Sequence, residues 1–273
     1  MKAFQFVPIV LLAVFLSCNK SVEPLNVPTY PFTAGKAWNY RAEESLFNFH
    51  PTQVGVTFRD TSFIWSATVK ARGDSLLHDT VATSKVTVSE TLPEIQPSEN
   101  YYLLRNDTLY LYAWLSGNGD PILPKKSPPY RFLYRNYEYR DGQELYQSIG
   151  GRIYSTPTTS AESLYYSSSP PSIFVFPLRV GASWSVTSLA GITKKVIGTE
   201  SITTESGIFS TYIIEWLRST DSTLTEKEYL SDKGLIKRTF VVRGLIVASS
   251  TFPEGFGTID LKLEYVLTSL NIP

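Results

Sequence analysis

An antiparallel all-β protein, built from two related β units, is the fold class this sequence predicts. Three observations carry the expectation. Apolar residues alternate with polar ones over many short runs. Hairpin-turn residues separate those runs. A Gly-x-x-Trp element occurs twice, at Gly35 to Trp38 and again at Gly181 to Trp184. No segment after the N-terminal region carries a sustained apolar stripe of period 3.6, so βαβ folds and helical bundles are poor candidates.

In chain order, the first element is a leader over residues 1–17. Lys2 supplies a basic start, and Phe4 to Leu16 is apolar except for Gln5. The run is too short for a membrane-spanning helix, which needs about 20 residues, and reads as a secretory signal. It ends Phe15-Leu16-Ser17-Cys18. A small residue before a Cys, after an apolar run, resembles the lipobox of bacterial lipoproteins. That resemblance implies cleavage before Cys18 and transfer of a diacylglycerol, palmitate among its chains, to the Cys18 thiol. Two or more acyl chains anchor stably where one holds only marginally. Asn19 stands where an Asp would favour inner-membrane retention, so the resemblance implies an outer-membrane anchor, with the periplasmic face favoured over the cell surface. Residues 18–30 contain Pro24 and Pro28 and read as an extended tether.

The first β unit spans 31–170. It opens Pro31-Phe32-Thr33-Ala34-Gly35-Lys36-Ala37-Trp38. A tight turn at Gly35 feeds a strand whose Trp38 plugs one end of a β core. Phe63, Trp65, Ala67 and Val69 alternate next, then Val86 and Val88. Tyr101 leads a strand that turns at Asn106-Asp107. Gly117-Asn118-Gly119-Asp120-Pro121 and Gly150-Gly151 are further turns, and Ser-, Thr- and Pro-rich residues 155–171 end the unit. The second unit, 171–273, opens Pro177-Leu178-Arg179-Val180-Gly181-Ala182-Ser183-Trp184. Tyr212, Ile214 and Trp216 alternate, Tyr229 leads a strand turning at Asp232-Lys233-Gly234, and Leu261, Leu263, Tyr265 and Leu267 close it.

Charge and composition exclude several roles. Lys plus Arg and Asp plus Glu are 25 each, for a formal net charge of zero, which argues against a general phosphate-neutralising surface for nucleic acid. Cys18 is the single Cys and there are two His. With Cys18 acylated, no disulfide, Cys-ligated zinc or thiol nucleophile is available, and no cofactor or metal is expected. His50 and His78 lie on different segments, and no Gly-x-Ser-x-Gly presents a nucleophile. Asn118 and Asp120 supply too few oxygens for calcium.

Glu43, Glu44, Asp141, Glu144, Glu205 and Glu215 are available as acids, but nothing brackets a pair across a cleft. Glu215, among Ile213, Ile214, Trp216 and Leu217, reads as the solvent side of a strand. Tyr130, Tyr134, Tyr137 and Tyr139 interleave with Arg131, Arg135, Glu138 and Arg140. They form a candidate binding face for sugar or peptide, or a hairpin of half-buried rings.

The lipobox, the paired Pro-x-x-x-Gly-x-x-Trp elements, Thr204-Glu205-Ser206-Gly207-Ile208-Phe209 and Lys233-Gly234-Leu235-Ile236-Lys237-Arg238 are similar to those of uncharacterised outer-membrane lipoproteins of Gram-negative bacteria. In architecture alone the chain resembles periplasmic half-barrel carriers of lipoproteins and lipids, which add a covering helix; no such helix reads from this sequence. The expected role is a non-enzymatic binding or structural module, membrane-held by its lipid, with a glycan, lipid or envelope protein as partner. An apolar-ligand carrier, a carbohydrate-contacting module and an envelope hydrolase are the alternatives.

Overall fold

The computed structural model describes residues 34–78, 80–91, 97–115, 130–149, 164–187, 191–219 and 221–271. The leader, the tether with Cys18, and the turns at Gly117–Pro121 and Gly150-Gly151 lie outside them. Fifteen strands and one helix are found among the described residues. They are β1 (Ala37–Pro51), β2 (Thr61–Leu77), β3 (Val81–Glu90), β4 (Ser98–Arg105), β5 (Thr108–Leu115), β6 (Tyr130–Tyr134), β7 (Tyr137–Tyr139), α1 (Gly142–Ile149), β8 (Tyr165–Tyr166), β9 (Ser172–Val175), β10 (Ser183–Ser185), β11 (Ile192–Thr204), β12 (Gly207–Arg218), β13 (Leu224–Ser231), β14 (Gly234–Ser249) and β15 (Gly257–Asn271). The all-β, antiparallel expectation holds, and the strands form one open sheet rather than a closed barrel.

The order across the sheet is β10-β11-β12-β13-β14-β15-β1-β2-β3-β4-β5-β8. The last strand, β15, pairs with the first, β1, so the chain's two ends meet mid-sheet. Between them run two meanders, one outward from β1 to β5 and one inward from β10 to β15. Strand β9, just after Pro170-Pro171, pairs with β5 of the first meander. Side chains carry it to the opposite edge. The Ser172 hydroxyl donates to the Ser185 carbonyl at 3.0 Å, and the Thr187 hydroxyl accepts from Ser172 N at 3.0 Å.

The two Gly-x-x-Trp turns are built alike. Gly35 has φ of 85° and Gly181 of 89°, a region that a side chain makes costly. Gly35 N donates to Ala71 O and Ala71 N to Lys36 O; Gly181 N donates to Val196 O and Val196 N to Ala182 O. Irregularities recur at matching places. Both β2 and β11 shift register immediately after those partners, at Ala71/Gly73 and Val196/Gly198. Both tyrosine-led strands shift after the tyrosine, at Tyr101/Tyr102 and Tyr229/Leu230.

Curvature lets one face of the sheet bury itself. Ala42 and Leu46 of β1, Phe240 and Val242 of β14, and Leu261 and Leu263 of β15 form a core with Trp65. Each of the leucine, valine and phenylalanine side chains among them contributes roughly 1.5–3 kcal/mol. Phe132, Tyr134, Tyr139, Leu145 and Tyr146 cover it from β6, β7 and α1. A second core joins the two edges of the sheet. It combines Val86, Tyr102, Leu109 and Leu111 with Val196, Tyr212, Ile214 and Trp216, and β9 inserts Ile173 and Phe174 between them.

Helix α1 corrects the expectation that no covering helix exists. Eight residues are two turns, too short to register as a periodic stripe. Its start is nevertheless specified by Asp141-Gly142-Gln143-Glu144. Glu144 N donates to Asp141 Oδ1 at 2.7 Å, and Arg140 N donates to Glu144 Oε2 at 2.6 Å. This is close to a capping box, with Asp141 in the cap position and the return bond from Glu144 made to the N–H one residue before the cap. Two of the acids considered as catalytic candidates are thus occupied in starting a helix.

Candidate binding site

The concave face holds a group of charges. Strand β13 alternates so that Leu224, Glu226, Glu228 and Leu230 point inward. On the facing register, Glu226 lies between Trp216 and Phe240, and Glu228 between Ile214 and Arg238. Strand β11 places Lys194 beside Trp216, with Trp184 on its other side. Lys194, Glu226 and Glu228 have 0% exposure, and Arg238 has 6%.

Two sets of bonds hold the group. Lys194 Nζ donates to Glu228 Oε2 at 2.7 Å and to the Ile173 carbonyl at 3.0 Å. The same ammonium lies 4.1 Å from the Trp216 ring centroid and 4.7 Å from that of Phe174. Glu226 binds two guanidinium groups: Arg218 Nη2 at 2.7 Å, and Arg238 through its Nε at 3.0 Å and its Nη2. Arg218 and Arg238 also lie over Trp216 at 5.5 and 5.7 Å, and Arg238 over Tyr146 at 5.3 Å. A ring face attracts a cation electrostatically, the more so when water is excluded.

Burial alone would raise the Glu228 carboxyl; Lys194 and Arg238 outweigh it and hold it below its ordinary value of 4.5. Burial lowers the Lys194 ammonium from 10.5, against the pull of Glu228. Glu228 has two cations to offset its burial and Lys194 has one adjacent carboxylate, so Glu228 is the more firmly ionised partner.

The residues singled out from sequence occupy several places. Cys18 is outside the described residues. Trp38 is wholly buried, its Nε1 donating to the Lys233 carbonyl at 2.7 Å, in a small core with Tyr40, Ala67, Ala71, Ile236 and Leu267. Trp184 is half-buried against the core that joins the sheet edges. Of the tyrosines, Tyr134 and Tyr139 are buried, Tyr130 packs edge-on against Phe58 at 4.8 Å, and Tyr137 is 69% exposed. The four rings therefore do not share one exposed surface. Tyr134 OH instead bonds Asp221, which Arg135 also engages at 3.1 Å.

The candidate acids do not converge. Glu43 pairs with Arg41 at 2.7 Å, Glu215 with Lys227 at 3.7 Å, and Glu205 is exposed in the β11–β12 hairpin. His50 and His78 are exposed, the latter 4.1 Å from the Tyr166 ring. Among the described residues no His, Cys, Asp and Glu group of metal-binding size occurs, and no helix is long and apolar enough to cross a membrane.

Sequence reasoning missed Lys194, Arg218, Glu226, Glu228 and Arg238. One signal was present: in Leu224-Thr225-Glu226-Lys227-Glu228-Tyr229-Leu230 both acids share a face with both leucines. Their cations stand on other strands, and only pairing brings them together.

No known family model matches the sequence, and no curated protein matches it. Among solved structures, a Parabacteroides distasonis protein provisionally named a lipoprotein shares 12% identity, over 90% of this chain and 99% of its own, with a TM-score of 0.34. A Bacteroides fragilis protein, provisionally named an exported protein with a YmcC-like fold, shares 9% identity over 91% of this chain and 100% of its own, with a TM-score of 0.33. At these scores the likeness assigns no role to this chain.

Proposed function

We propose that this chain is a lipid-anchored, non-enzymatic envelope protein whose concave sheet face is a binding site centred on the buried charges. The observation that carries the reading is the cluster of Lys194, Arg218, Glu226, Glu228 and Arg238, five charged side chains brought together inside the sheet. A buried ion pair is an expensive way to fill a core, because desolvation consumes most of the attraction. Apolar side chains of similar volume serve stability as well or better, so such groups point to a role other than stability. The matched turns and bulges favour descent of the two meanders from one duplicated unit. Only the second carries the charges: Ala71 and Val86 lie where Val196 and Ile214 do, and Asn100 opposite Val86 stands where Glu228 faces Ile214. That asymmetry suits a site added to one copy of a shared scaffold.

The outer membrane, reached through lipid on Cys18, is the proposed location. It rests on the apolar run ending Ser17-Cys18.

The paired replacement Lys194→Met with Glu228→Leu tests the site. If the cluster serves binding, the double variant keeps or raises the thermal midpoint of the wild type. A fall of several degrees in the double variant would make the cluster structural and remove the basis for the reading.

A further inference from the structure

Lys194, Glu226 and Glu228 are wholly unexposed, so a binding role for them needs a way in. Three pieces of chain cover them. Tyr146 of α1 lies against Arg238, Phe174 of β9 lies beside Lys194, and Trp184 of β10 stands directly opposite Lys194. The three are held very differently. Helix α1 shares its core with Phe132, Tyr134 and Tyr139 of β6 and β7, and β6 is laddered to β14. Strand β9 is laddered to β5, and buries Ile173 and Phe174 with Phe176 and Leu178 behind them. Burial of so many large apolar side chains opposes release of either piece.

Strand β10 is the exception. It has three residues, pairs with β11 alone and ends the strand order. Between Arg179 and Thr187 only Val186 is buried. Its other edge meets β9 with no backbone ladder among the described residues. Hydroxyls make that contact: Ser172 donates to the Ser185 carbonyl at 3.0 Å, and Thr187 accepts from Ser172 N at 3.0 Å and donates to the Pro170 carbonyl at 2.6 Å. The matching strand of the first unit shows the contrast. After the same turn, β1 is laddered on both sides, by β15 and β2, and its Trp38 is wholly buried.

This loose edge reaches the charges through one side chain. Lys194 is rooted on β11, yet its ammonium caps the Ile173 carbonyl of β9 while binding Glu228. It therefore spans the gap that β10 covers. We infer that β10 with its flanking residues Ala182–Thr187 is a strap that lifts from the seam while the rest of the sheet stays folded, and that this opening is the way into the buried charges. The strap swings about Gly181-Ala182, which two backbone bonds tie to Val196. Segments that admit ligand are drawn from the least stable parts of a fold. The inference rests on the proposed binding role and names the route to that site.

The test uses the full chain in detergent micelles and single cysteines labelled with a small thiol reagent, read peptide by peptide by mass. Ile214 is unexposed and stands opposite both Val196 and Glu228; Leu263 is equally buried between β14 and β1. Ile214→Cys should label at least tenfold faster than Leu263→Cys, at a rate that low urea barely changes, as local opening requires. Adding Thr187→Val, which removes a seam hydroxyl and leaves the charges intact, should speed Ile214→Cys several-fold and leave Leu263→Cys unchanged. Equal labelling of the two cysteines, a steep urea dependence at Ile214→Cys, or a Thr187→Val effect that is absent or shared by both sites would overturn the inference. Amide exchange on the unaltered chain gives a second readout that stands if a cysteine variant does not fold. The amides of Gly181, Val186 and Val196, bonded within the strap and to β11, should exchange at least tenfold faster than those of Leu111 and Phe176, which hold β9 and its flanks to β5 and the β4–β5 turn. Equal rates would overturn the inference. Both readouts are taken without ligand and with Lys194 and Glu228 in place, so the opening and the thermal comparison of the Lys194→Met, Glu228→Leu variant fail separately.

Discussion

Glu228 illustrates how sharply a buried charge depends on its neighbours. It lies between Lys194 and Arg238 with no exposed surface. Glu228→Gln keeps the shape and removes the charge, leaving Lys194 buried without its counter-charge and Arg238 with Glu226 alone. The expected cost is about 3–5 kcal/mol, read as a lower urea midpoint at pH 7. The same residue shapes the response to acid. Its native carboxyl lies below the ordinary 4.5, as do those of Glu264 beside Lys237 and Lys262, and Glu99 beside Lys85 and Tyr101. In each case burial alone would push the other way and is outweighed by these partners. A depressed native value means that the unfolded chain takes up the proton first. The stability these groups contribute is therefore present above pH 4.5 and is lost as the pH falls through the native values. Urea midpoints measured from pH 7 down to pH 3 should hold steady and then fall below about pH 4.5. In Glu228→Gln that fall should be shallower, and an unchanged slope would remove Glu228 from the account.

At the scale of elements, similar local geometry hides different energetics. The turns at Gly35 and Gly181 make the same pair of backbone bonds, yet Trp38 is fully buried and Trp184 is half-buried. Trp38→Ala opens a cavity and orphans the Lys233 carbonyl, at an expected cost of about 3–5 kcal/mol. Trp184→Ala should cost clearly less, because its ring keeps contact with solvent. Equal losses in urea melts would mean that the half-buried ring carries more than its contact area. Helix α1 depends on its cap. Asp141→Ala frees Glu144 N and should cost about 1 kcal/mol; Asp141→Asn, which keeps an acceptor, should restore most of it. The helix lays Tyr146 on Phe240 at 4.9 Å and under Arg238, so loosening the cap also loosens the cover over the charges.

Across the whole molecule, the strand order gives the C-terminus unusual weight. β15 lies between β14 and β1, and its inward residues Ile259, Leu261 and Leu263 are essentially unexposed. Removing residues 257–273 would split the sheet into two halves with raw edges at β14 and β1. Such a truncation should yield no cooperatively melting protein. Amide exchange should be slowest along β15 and β1 and faster at β10, which ends the strand order. The proposed anchor acts at the same scale. Cys18→Ser should abolish labelling by an alkyne fatty acid and release the chain from the membrane fraction; equal labelling of both forms would exclude lipidation at Cys18.

Period-two alternation was legible at β2, β3, β12 and β15, because one buried face writes itself into every second residue. The paired turns were legible too, since positive φ at Gly35 and Gly181 requires glycine. Helix α1 was not read, because two turns carry too little periodicity, although its capping residues were in plain view. The candidate site was less legible still. Alternation put Glu226 and Glu228 on one face with Leu224 and Leu230, but it cannot say which face is buried or what lies opposite. What the sequence determined by itself was the strand class and the turns at Gly35 and Gly181, all of them local. Tertiary structure alone decided that β15 pairs with β1 and that Lys194, Arg218 and Arg238 meet two glutamates inside the sheet. Those are long-range pairings, set by how a curved sheet closes its faces together, and no local pattern in the chain encodes them.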